Sequence, residues 1–179
     1  MQDGHLDAAI AATPLEHETI KERVLYYEPF VAYTPPGHRL SKEQKIKPEE
    51  LDVDDILLLE DGHCFKEGIL NICKTNKDTD NASFQLESGS FETLIKLANE
   101  GLGMTLLPYL HTLELPEKES NNLRMFEEPS PAREVSLIYN KSELKMQIIE
   151  ALQQIISGVV RGAVAFNNVK IVSPLQQKN

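Results

Sequence analysis

The chain has two cysteines, Cys64 and Cys73, and their spacing restricts how the segment between them can fold. The apolar spacing in this segment predicts a helix, with Phe65, Ile69 and Cys73 on one stripe. On an ideal helix the two cysteines would lie on opposite faces, about 13 Å apart along the axis. A disulfide needs Cα atoms about 4.4–6.8 Å apart. The segment can therefore be helical with two thiols, or unwound with a disulfide, and the two states exclude each other.

The composition is that of a globular protein without a membrane span. The chain has 179 residues, of which 41% are hydrophobic and 26% charged, which is enough for one or two compact units. Its formal net charge of −10 would repel phosphate, so we do not expect it to bind nucleic acid by itself. No run of about 18 apolar residues is present. The first residues lack the pattern of a signal peptide, which predicts a reducing, cytoplasmic setting where a disulfide would be transient.

The hydrophobic pattern predicts strands that alternate with helices. This alternation favours an α/β class with parallel sheets. We expect the segment from Leu113 to Pro131 to be mostly irregular, and Gly101 and Gly103 to form a tight turn from helix to strand. We expect Ser142 to cap a long helix that packs on the core, and a subunit interface could extend this packing. The apolar stripe of the helix is Leu144, Ile148, Ile149, Leu152, Ile155 and Ile156. The predicted strands are 6–11, 30–33, 56–59, 84–87, 104–107 and 135–139, with shorter helices near 48–51, at 64–73 and at 91–98.

The two thiols differ in their expected chemistry. Asp61 and Gly62 resemble a capped helix start, which places Cys64 in the first turn, where free N–H groups and the helix dipole favour a thiolate. Nearby His63 and Lys66 could add positive charge. Cys73 ends the core stripe and should be a packed, less reactive thiol. Peroxide could oxidise Cys64 to a sulfenic acid that then condenses with Cys73. The same pattern also fits two ordinary cysteines, one packed and one partly exposed.

We predict no cofactor and no metal site. The five histidines are scattered along the sequence. A zinc site of His63, Cys64 and Cys73 is disfavoured, because the helix would hold Cys73 away from the other two and zinc needs three or four converging ligands.

The motif around the first cysteine resembles the sensor motif of the OxyR family, the hydrogen-peroxide-responsive LysR-type transcriptional activators. The motif is Leu-Leu-Glu-Asp-Gly-His-Cys at 58–64, with the second cysteine nine residues later. Other stretches resemble segments shared by LysR-type effector domains: 3–10, 92–94, 101–108, 131–133 and 135–139. The resemblance covers nearly the whole chain.

The resemblance implies a regulatory domain of two subdomains, similar to periplasmic binding proteins. Residues 1–27 and 137–179 would form part of the first subdomain and residues 28–136 the second. The chain would cross between them near Tyr27 and Ser136. The winged-helix DNA-binding domain, and the first strands of subdomain I, would lie outside this chain.

The resemblance also implies site residues and partners. Cys64 would be the peroxidatic thiol and Cys73 the resolving one, while His63 and Arg133 would line the peroxide pocket or polarise the thiol. Lys66 stands where the family usually has arginine, so the positive charge remains but the guanidinium fork is lost. Hydrogen peroxide would be the signal, a homodimer or homotetramer the assembly, and glutaredoxin or thioredoxin the reductant. Promoter DNA would be bound through the missing domain, with recruitment of RNA polymerase.

Two other functions fit the same residues. A thiol peroxidase would use both cysteines but would need a reductant and repeated turnover. A LysR-type domain with silent cysteines would instead bind a small-molecule effector between its subdomains. The sensor reading requires one oxidation per switching event and no turnover, so it predicts a protein that is not an enzyme.

Overall fold

The structure is a computed structural model that describes residues 6–60, 64–73, 87–142, 145–164 and 169–172. The strands in these residues are β1 (Ala8–Thr13), β2 (Ile20–Tyr33), β3 (Lys45–Ile46), β4 (Leu58–Leu59), β5 (Glu87–Ser88), β6 (Thr105–Pro108), β7 (Leu123–Phe126), β8 (Ser130–Asn140) and β9 (Val169–Ile171). The helices are α1 (Cys64–Ile72), α2 (Phe91–Asn99), α3 (Tyr109–Thr112), α4 (Glu117–Ser120) and α5 (Met146–Arg161), with single 3-10 turns at Pro48–Glu50 and Val53–Asp55. No helix in this part of the chain combines the length and apolar content needed to span a bilayer.

Two long strands, β2 and β8, form the backbone of the larger sheet. They pair antiparallel from Ile20 opposite Asn140 to Pro29 opposite Ala132, with an irregularity between Val24 and Tyr26. The described strands of this sheet run in the order β1-β8-β2-β7-β3, while β6 also pairs with β2 and β9 with β8.

The predicted α/β class is confirmed, but the predicted parallel arrangement is wrong for most of this larger sheet. Strands β1, β2, β6, β7 and β8 pair antiparallel, and only β3 and β9 add in parallel. The alternation of strands and helices along a sequence does not specify which strands become neighbours. Here β2 takes its partners from the later half of the chain, so the order along the sequence was misleading.

A second, two-stranded sheet carries the helix between the cysteines. Strands β4 and β5 pair in parallel, and α1 follows β4 just as α2 follows β5. The prediction that Cys64 lies in the first turn of a helix is confirmed. Part of the strand predicted at 84–87 lies outside the described residues, and β5 begins at its last residue.

The buried apolar residues form two clusters, and β2 contributes to both. The larger cluster contains Phe30 together with side chains from α1, α2, β4 and β6, and the smaller one contains Leu25, Leu137, Tyr139 and Ile149. The predicted crossover at Tyr27 lies between Leu25 and Phe30, within β2. The division into subdomains of 1–27 with 137–179 and of 28–136 stays a prediction.

Two predictions about the later part of the chain are wrong. The segment from Leu113 to Pro131 is not mostly irregular, because it contains α4, β7 and the first residues of β8. The long helix begins at Met146 rather than after a Ser142 cap, since Ser142 instead donates to the Asn140 side chain in a turn.

The stripe predicted to pack α5 on the core is only partly buried. Ile149 is buried and Ile156 packs against the smaller cluster, but Ile148, Leu152 and Ile155 are 56%, 38% and 64% exposed. Leu144 lies outside the described residues. The helical periodicity identifies an apolar surface but does not say which part of that surface another element covers.

The predicted helix-to-strand turn at Gly101 and Gly103 is confirmed. Gly101 and Gly103 have φ values of +83° and +144°, which side chains other than glycine rarely adopt. A Cβ on Gly103 would lie 2.7 Å from the backbone oxygen of Asp55. This close approach matters because the Met104 N–H donates to the Asp55 carbonyl and the Leu57 N–H donates to the Met104 carbonyl, so both bonds join the start of β6 to the segment before β4.

We predict that Gly103→Ala lowers the free energy of unfolding by about 1–3 kcal/mol, because of the strained φ and the backbone contact. Gly158→Ala is the matched control. Gly158 lies inside α5 with open space around its Cα, so alanine there should raise stability by about 0.5–1 kcal/mol. Urea unfolding of the two variants measures the difference, and equal stabilities would contradict this view of the turn.

Candidate functional site

The starts of α1 and α2 lie next to each other at one edge of the small sheet. Leu58 and Leu59 pair in parallel with Glu87 and Ser88, and the Glu60 N–H donates to the Ser88 carbonyl over 3.1 Å. Both helices therefore begin just beyond the carboxyl ends of neighbouring parallel strands. This edge is where α/β sheets commonly place their binding sites, and it brings two helix N-termini together.

The start of α2 shows the electrostatics of this edge. Ser90 caps the helix by accepting from the Thr93 N–H over 3.2 Å. A hydrogen bond from its own backbone N–H, followed by one from the Ser90 side chain, lowers the pKa of Glu92. Cys64 is the first residue of α1, so its backbone also lies in the first turn of a helix, one position earlier than that of Glu92 in α2. Negative charge in the first turn of a helix is stabilised by the same dipole and N–H groups.

An aromatic cluster fixes the first turn of α1. The Phe65 ring lies 4.9 Å from that of Phe30 and 5.1 Å, edge-on, from that of Phe91. Phe91 in turn lies 5.1 Å from the ring of His111 in α3. His111 Nε2 is buried and makes no hydrogen bond within the described part of the chain. Phe65, the residue that follows Cys64, is thus packed between rings from β2 and α2, and His111 of α3 extends the cluster behind Phe91.

Arg133 lies over this cluster. Its guanidinium carbon is 5.1 Å from the centre of the Phe65 ring, within the range of a cation–π contact. Its Nε and Nη2 donate to Glu28 Oε2 over 2.8 and 2.7 Å. Glu28 is 1% exposed, and its Oε1 accepts from the Leu110 N–H over 3.0 Å. Arg133 is therefore held between a buried carboxylate on β2 and the second residue of α1.

Lys66 forms an ion pair that holds the other side of the helix start. Its Nζ contacts Glu87 Oε1 over 2.5 Å, and its side chain is only 9% exposed while that of Glu87 is 29% exposed. The pair joins the first turn of α1 to β5. Sequence analysis treated Lys66 as positive charge close to the thiol, and the structure shows that this charge is largely buried against a carboxylate.

Cys73 lies at the other end of α1, on the core side. Phe65, Ile69 and Cys73 are 3%, 1% and 6% exposed, which confirms the predicted stripe. Burial, with a smaller contribution from the Asp52 charge, raises the pKa of the Cys73 thiol to about 12. A thiol with this pKa is protonated near neutral pH and is a poor nucleophile.

The structure brings only some of the predicted site residues together. Arg133 lies beside the first turn of α1 and Lys66 lies within it, whereas Cys73 lies at the opposite end of the helix. His63, the predicted cap at Asp61 and Gly62, and the side chain of Cys64 lie outside the described residues. Among the residues the structure does describe, no three His, Cys, Asp or Glu side chains converge as metal ligands would.

Four residues of this region were not predicted as site residues from the sequence: Glu28, Glu87, Phe91 and His111. Phe65 was predicted as a core residue but not as the ring beneath Arg133. A signal for Glu28 was available. It is a carboxylate in the otherwise apolar stretch Tyr26-Tyr27-Glu28-Pro29-Phe30, and a charge at such a position usually has a buried partner. That partner could not be identified, because Arg133 is 105 residues away along the chain.

The cavity at the last turn of α1 is separate from this region. It has a volume of about 420 Å³ and lies between the end of α1, the Pro48–Glu50 turn, the β7–β8 connection and β9. Asn71 and Ile72 contribute the helix side of its lining. The two ends of α1 thus have different surroundings, a charged and aromatic cluster at Cys64 and a groove beside Cys73.

A family model of the LysR substrate binding domain matches residues 1–160. The chain therefore belongs to the LysR substrate-binding domain family, whose fold is the one that the sequence motifs predicted.

Among its relatives, the chain is similar to proteins named for hydrogen peroxide. It is 30% identical over 161 residues to a probable hydrogen peroxide-inducible genes activator of Mycobacterium leprae, a match that covers 89% of this chain and 51% of the relative. The chain spans about half the length of the curated relatives it matches.

Solved structures similar to this chain include OxyR proteins, which confirms the predicted resemblance. OxyR of Porphyromonas gingivalis superimposes with a TM-score of 0.80 at 26% identity, over 96% of this chain and 78% of that one. A cysteine-to-serine mutant of Corynebacterium glutamicum OxyR, bound to hydrogen peroxide, superimposes with a TM-score of 0.78 at 28% identity, over 92% and 52%.

We predict that Glu87→Gln destabilises the protein more than Lys66→Met does. Glu87→Gln removes the carboxylate from a cation that is almost fully buried, which should cost about 1–3 kcal/mol. Lys66→Met keeps the apolar stem and leaves Glu87 partly solvated, so its cost should be below about 1 kcal/mol. Urea unfolding at neutral pH gives both free energies of unfolding. A larger destabilisation by Lys66→Met would show that Lys66 is not a buried cation that depends on Glu87.

We predict that Cys73 resists alkylation in the folded protein. In a Cys64→Ser variant it is the sole thiol, and a pKa of about 12 leaves about one molecule in ten thousand as thiolate at pH 8. Iodoacetamide labelling should therefore be slow in buffer and should accelerate in parallel with unfolding as urea is added. Labelling in buffer at the rate of an unfolded cysteine peptide would refute the burial of this thiol.

Proposed function

We propose that this chain is the redox-sensing regulatory domain of a LysR-type transcriptional activator that responds to hydrogen peroxide. The observation that carries the proposal is the placement of the cysteines on α1. Cys64 begins the helix beside Arg133 and the aromatic cluster, and Cys73 is buried near its end. The names of the relatives and the peroxide bound to a similar structure support the choice of signal.

The chemistry has two steps. The Cys64 thiolate attacks one oxygen of hydrogen peroxide, the O–O bond breaks, and protonation of the leaving hydroxide gives a sulfenic acid and water. The Cys73 sulfur then attacks the sulfenic sulfur, and its thiol proton leaves with the hydroxyl as a second water. The two thiols lose two electrons and two protons in total, and one peroxide is reduced to two waters.

The second step requires α1 to unwind. A nine-residue separation on a helix is too long for a disulfide, so Cys73 has to leave the core before the bond can form. Ile69 lies on the same buried face and would be displaced with it. The disulfide would thus replace a packed helix by a different arrangement of residues 64–73, and this change is the proposed signal.

The altered segment would act through parts of the protein beyond this chain. We propose that it repacks the interface of a homodimer or homotetramer and so changes how a winged-helix domain contacts promoter DNA and RNA polymerase. The acidic chain itself would not bind DNA. Glutaredoxin or thioredoxin would restore the thiols in the cytoplasm. His63 is proposed to polarise the Cys64 thiol together with Arg133.

The burial of Cys73 favours a sensor over a thiol peroxidase. A peroxidase must resolve its sulfenic acid in every turnover, and a buried thiol with a pKa of about 12 is poorly suited to rapid cycling. A sensor needs the reaction only once for each activation event. The cavity of about 420 Å³ beside the last turn of α1 is the place where a small-molecule effector could bind if the cysteines were silent.

We predict that one equivalent of hydrogen peroxide converts the reduced protein to a form two hydrogens lighter, with Cys64 linked to Cys73. Cys64→Ser should show no mass change, and Cys73→Ser should accumulate a sulfenic acid on Cys64 that dimedone traps. Peptide mapping by mass spectrometry identifies each product.

Three outcomes separate the alternatives. Unmodified cysteines in the wild type would favour the effector-binding domain. Continued peroxide consumption in the presence of thioredoxin, its reductase and NADPH would favour the peroxidase. A dimedone adduct on Cys73 but not on Cys64 would reverse the assigned roles.

A further inference from the structure

We propose that Glu28 is a positioning residue that holds the Arg133 guanidinium over the first turn of α1, and that the Cys64 thiolate depends on this alignment. The inference rests on the proposed function, in which the Cys64 thiolate reacts with peroxide. It adds Glu28, a residue that was not predicted from the sequence. Its content is separate, however, because it concerns the ionisation of Cys64 rather than the formation of the disulfide.

The strand register places the two side chains together. Glu28 and Arg133 are direct partners across β2 and β8, the two longest strands of the sheet. Side chains of directly opposed residues lie on the same face of a sheet, so the pair forms without any loop rearrangement. The guanidinium is thus fixed to the most extensively paired part of the fold.

The carboxylate of Glu28 accepts three hydrogen bonds from described residues. Oε2 accepts from both Nε and Nη2 of Arg133, and Oε1 accepts from the Leu110 N–H at the start of α3. At 1% exposure this carboxylate has little solvent to stabilise it, so it depends on these donors. The Leu110 N–H and the Arg133 guanidinium therefore orient the Glu28 carboxylate, and the carboxylate in turn orients Arg133.

Phe65 completes the clamp. Glu28 holds one edge of the guanidinium, and the Phe65 ring lies under its face at 5.1 Å. Glu28 therefore engages Nε and Nη2, while the face of the guanidinium lies over Phe65. Phe65 directly follows Cys64 in α1, which links the position of the guanidinium to the position of the thiol's backbone.

The two possible roles of Glu28, as a negative charge or as a positioning residue, predict opposite changes in the pKa of the Cys64 thiol when the carboxylate is removed. A buried carboxylate near a thiol would, as a charge alone, disfavour the thiolate, so its removal should lower the pKa of the thiol. If Glu28 instead acts by aligning Arg133, its removal should raise that pKa. Among the described residues, Tyr26 on β2 interacts electrostatically with both members of the pair. Other titratable groups in the same region are Lys66 and Glu87 at the start of α1 and His111 behind Phe91.

The experiment measures the pH profile of Cys64 alkylation in a Cys73→Ser background, where Cys64 is the only thiol. We expect Glu28→Gln to raise the apparent pKa of Cys64 by about one unit, which lowers its reaction rate with iodoacetamide and with peroxide about tenfold below that pKa. Arg133→Lys, which keeps the charge but loses the fork, should give a similar rise. The double variant Glu28→Gln/Arg133→Lys should rise no further than Arg133→Lys alone, because both changes remove the same alignment.

Glu134→Gln is the matched control. Glu134 neighbours Arg133 on β8, but its side chain accepts from Thr13 and not from the guanidinium. Its replacement also removes one carboxylate and should leave the Cys64 profile unchanged. Circular dichroism and thermal unfolding of each variant show whether it is folded, and Arg133→Lys tests the proposal independently if Glu28→Gln does not fold.

A lower or unchanged Cys64 pKa in folded Glu28→Gln would overturn the positioning role. So would additive rises in the double variant, or an equal rise in Glu134→Gln. Failure of the proposed function looks different, since in that case wild-type protein with both cysteines would form no disulfide after peroxide treatment, whatever the profile of the Glu28 variant.

Discussion

The packing of one nine-residue helix against the core is the constraint on which the account depends. Phe65 and Ile69 bury one face of α1 against β2 and its neighbours, and Cys73 continues that face beyond the last helical residue. Burial of such side chains is worth roughly 1.5–3 kcal/mol each. A helix this short is marginally stable in isolation, so its packing contacts are what stabilise it. Because the same residues separate the two thiols, the stability of this packing opposes formation of a disulfide. Peroxide chemistry would supply the driving force that overcomes it.

The helix is also connected to the long strands that extend through the sheet. Arg133 on β8 lies over the Phe65 ring, and Phe30 on β2 packs against the same ring. Glu28 ties β2, β8 and α3 together beneath the guanidinium. A change in the first turn of α1 therefore alters contacts with both strands, of which β2 contributes to both core clusters and β8 to the smaller one. This arrangement gives a local oxidation a physical route to the rest of the domain.

Local features of the site were predictable from the sequence, and long-range ones were not. The stripe of Phe65, Ile69 and Cys73 follows from helical spacing, and the turn at Gly103 follows from glycine chemistry, so both were predicted correctly. The pairing of Glu28 with Arg133 depends on strand register across 105 residues, which no local pattern encodes. Lys66 was interpreted as a charge beside a thiol because its partner, Glu87, lies 21 residues away in β5, and no local pattern connects the two.

The errors in the fold have the same origin. The antiparallel pairing of β2 with β8 was missed because alternation of elements along a chain does not determine which strands are neighbours. The core packing of α5 was overestimated, because periodicity shows an apolar surface without showing what covers it. In both cases the missing information is tertiary.

The most direct test is amide hydrogen exchange of residues 64–73 in the reduced and the disulfide-bonded protein, with peroxide-treated Cys73→Ser as the control that is oxidised but cannot form the bond. We expect protected amides in the reduced protein and a loss of at least tenfold in protection on formation of the disulfide, with the control retaining protection through most of the helix. Equal protection in the reduced and the fully bonded protein would contradict this expectation, because α1 would then not have unwound and the oxidation would have no structural consequence to transmit.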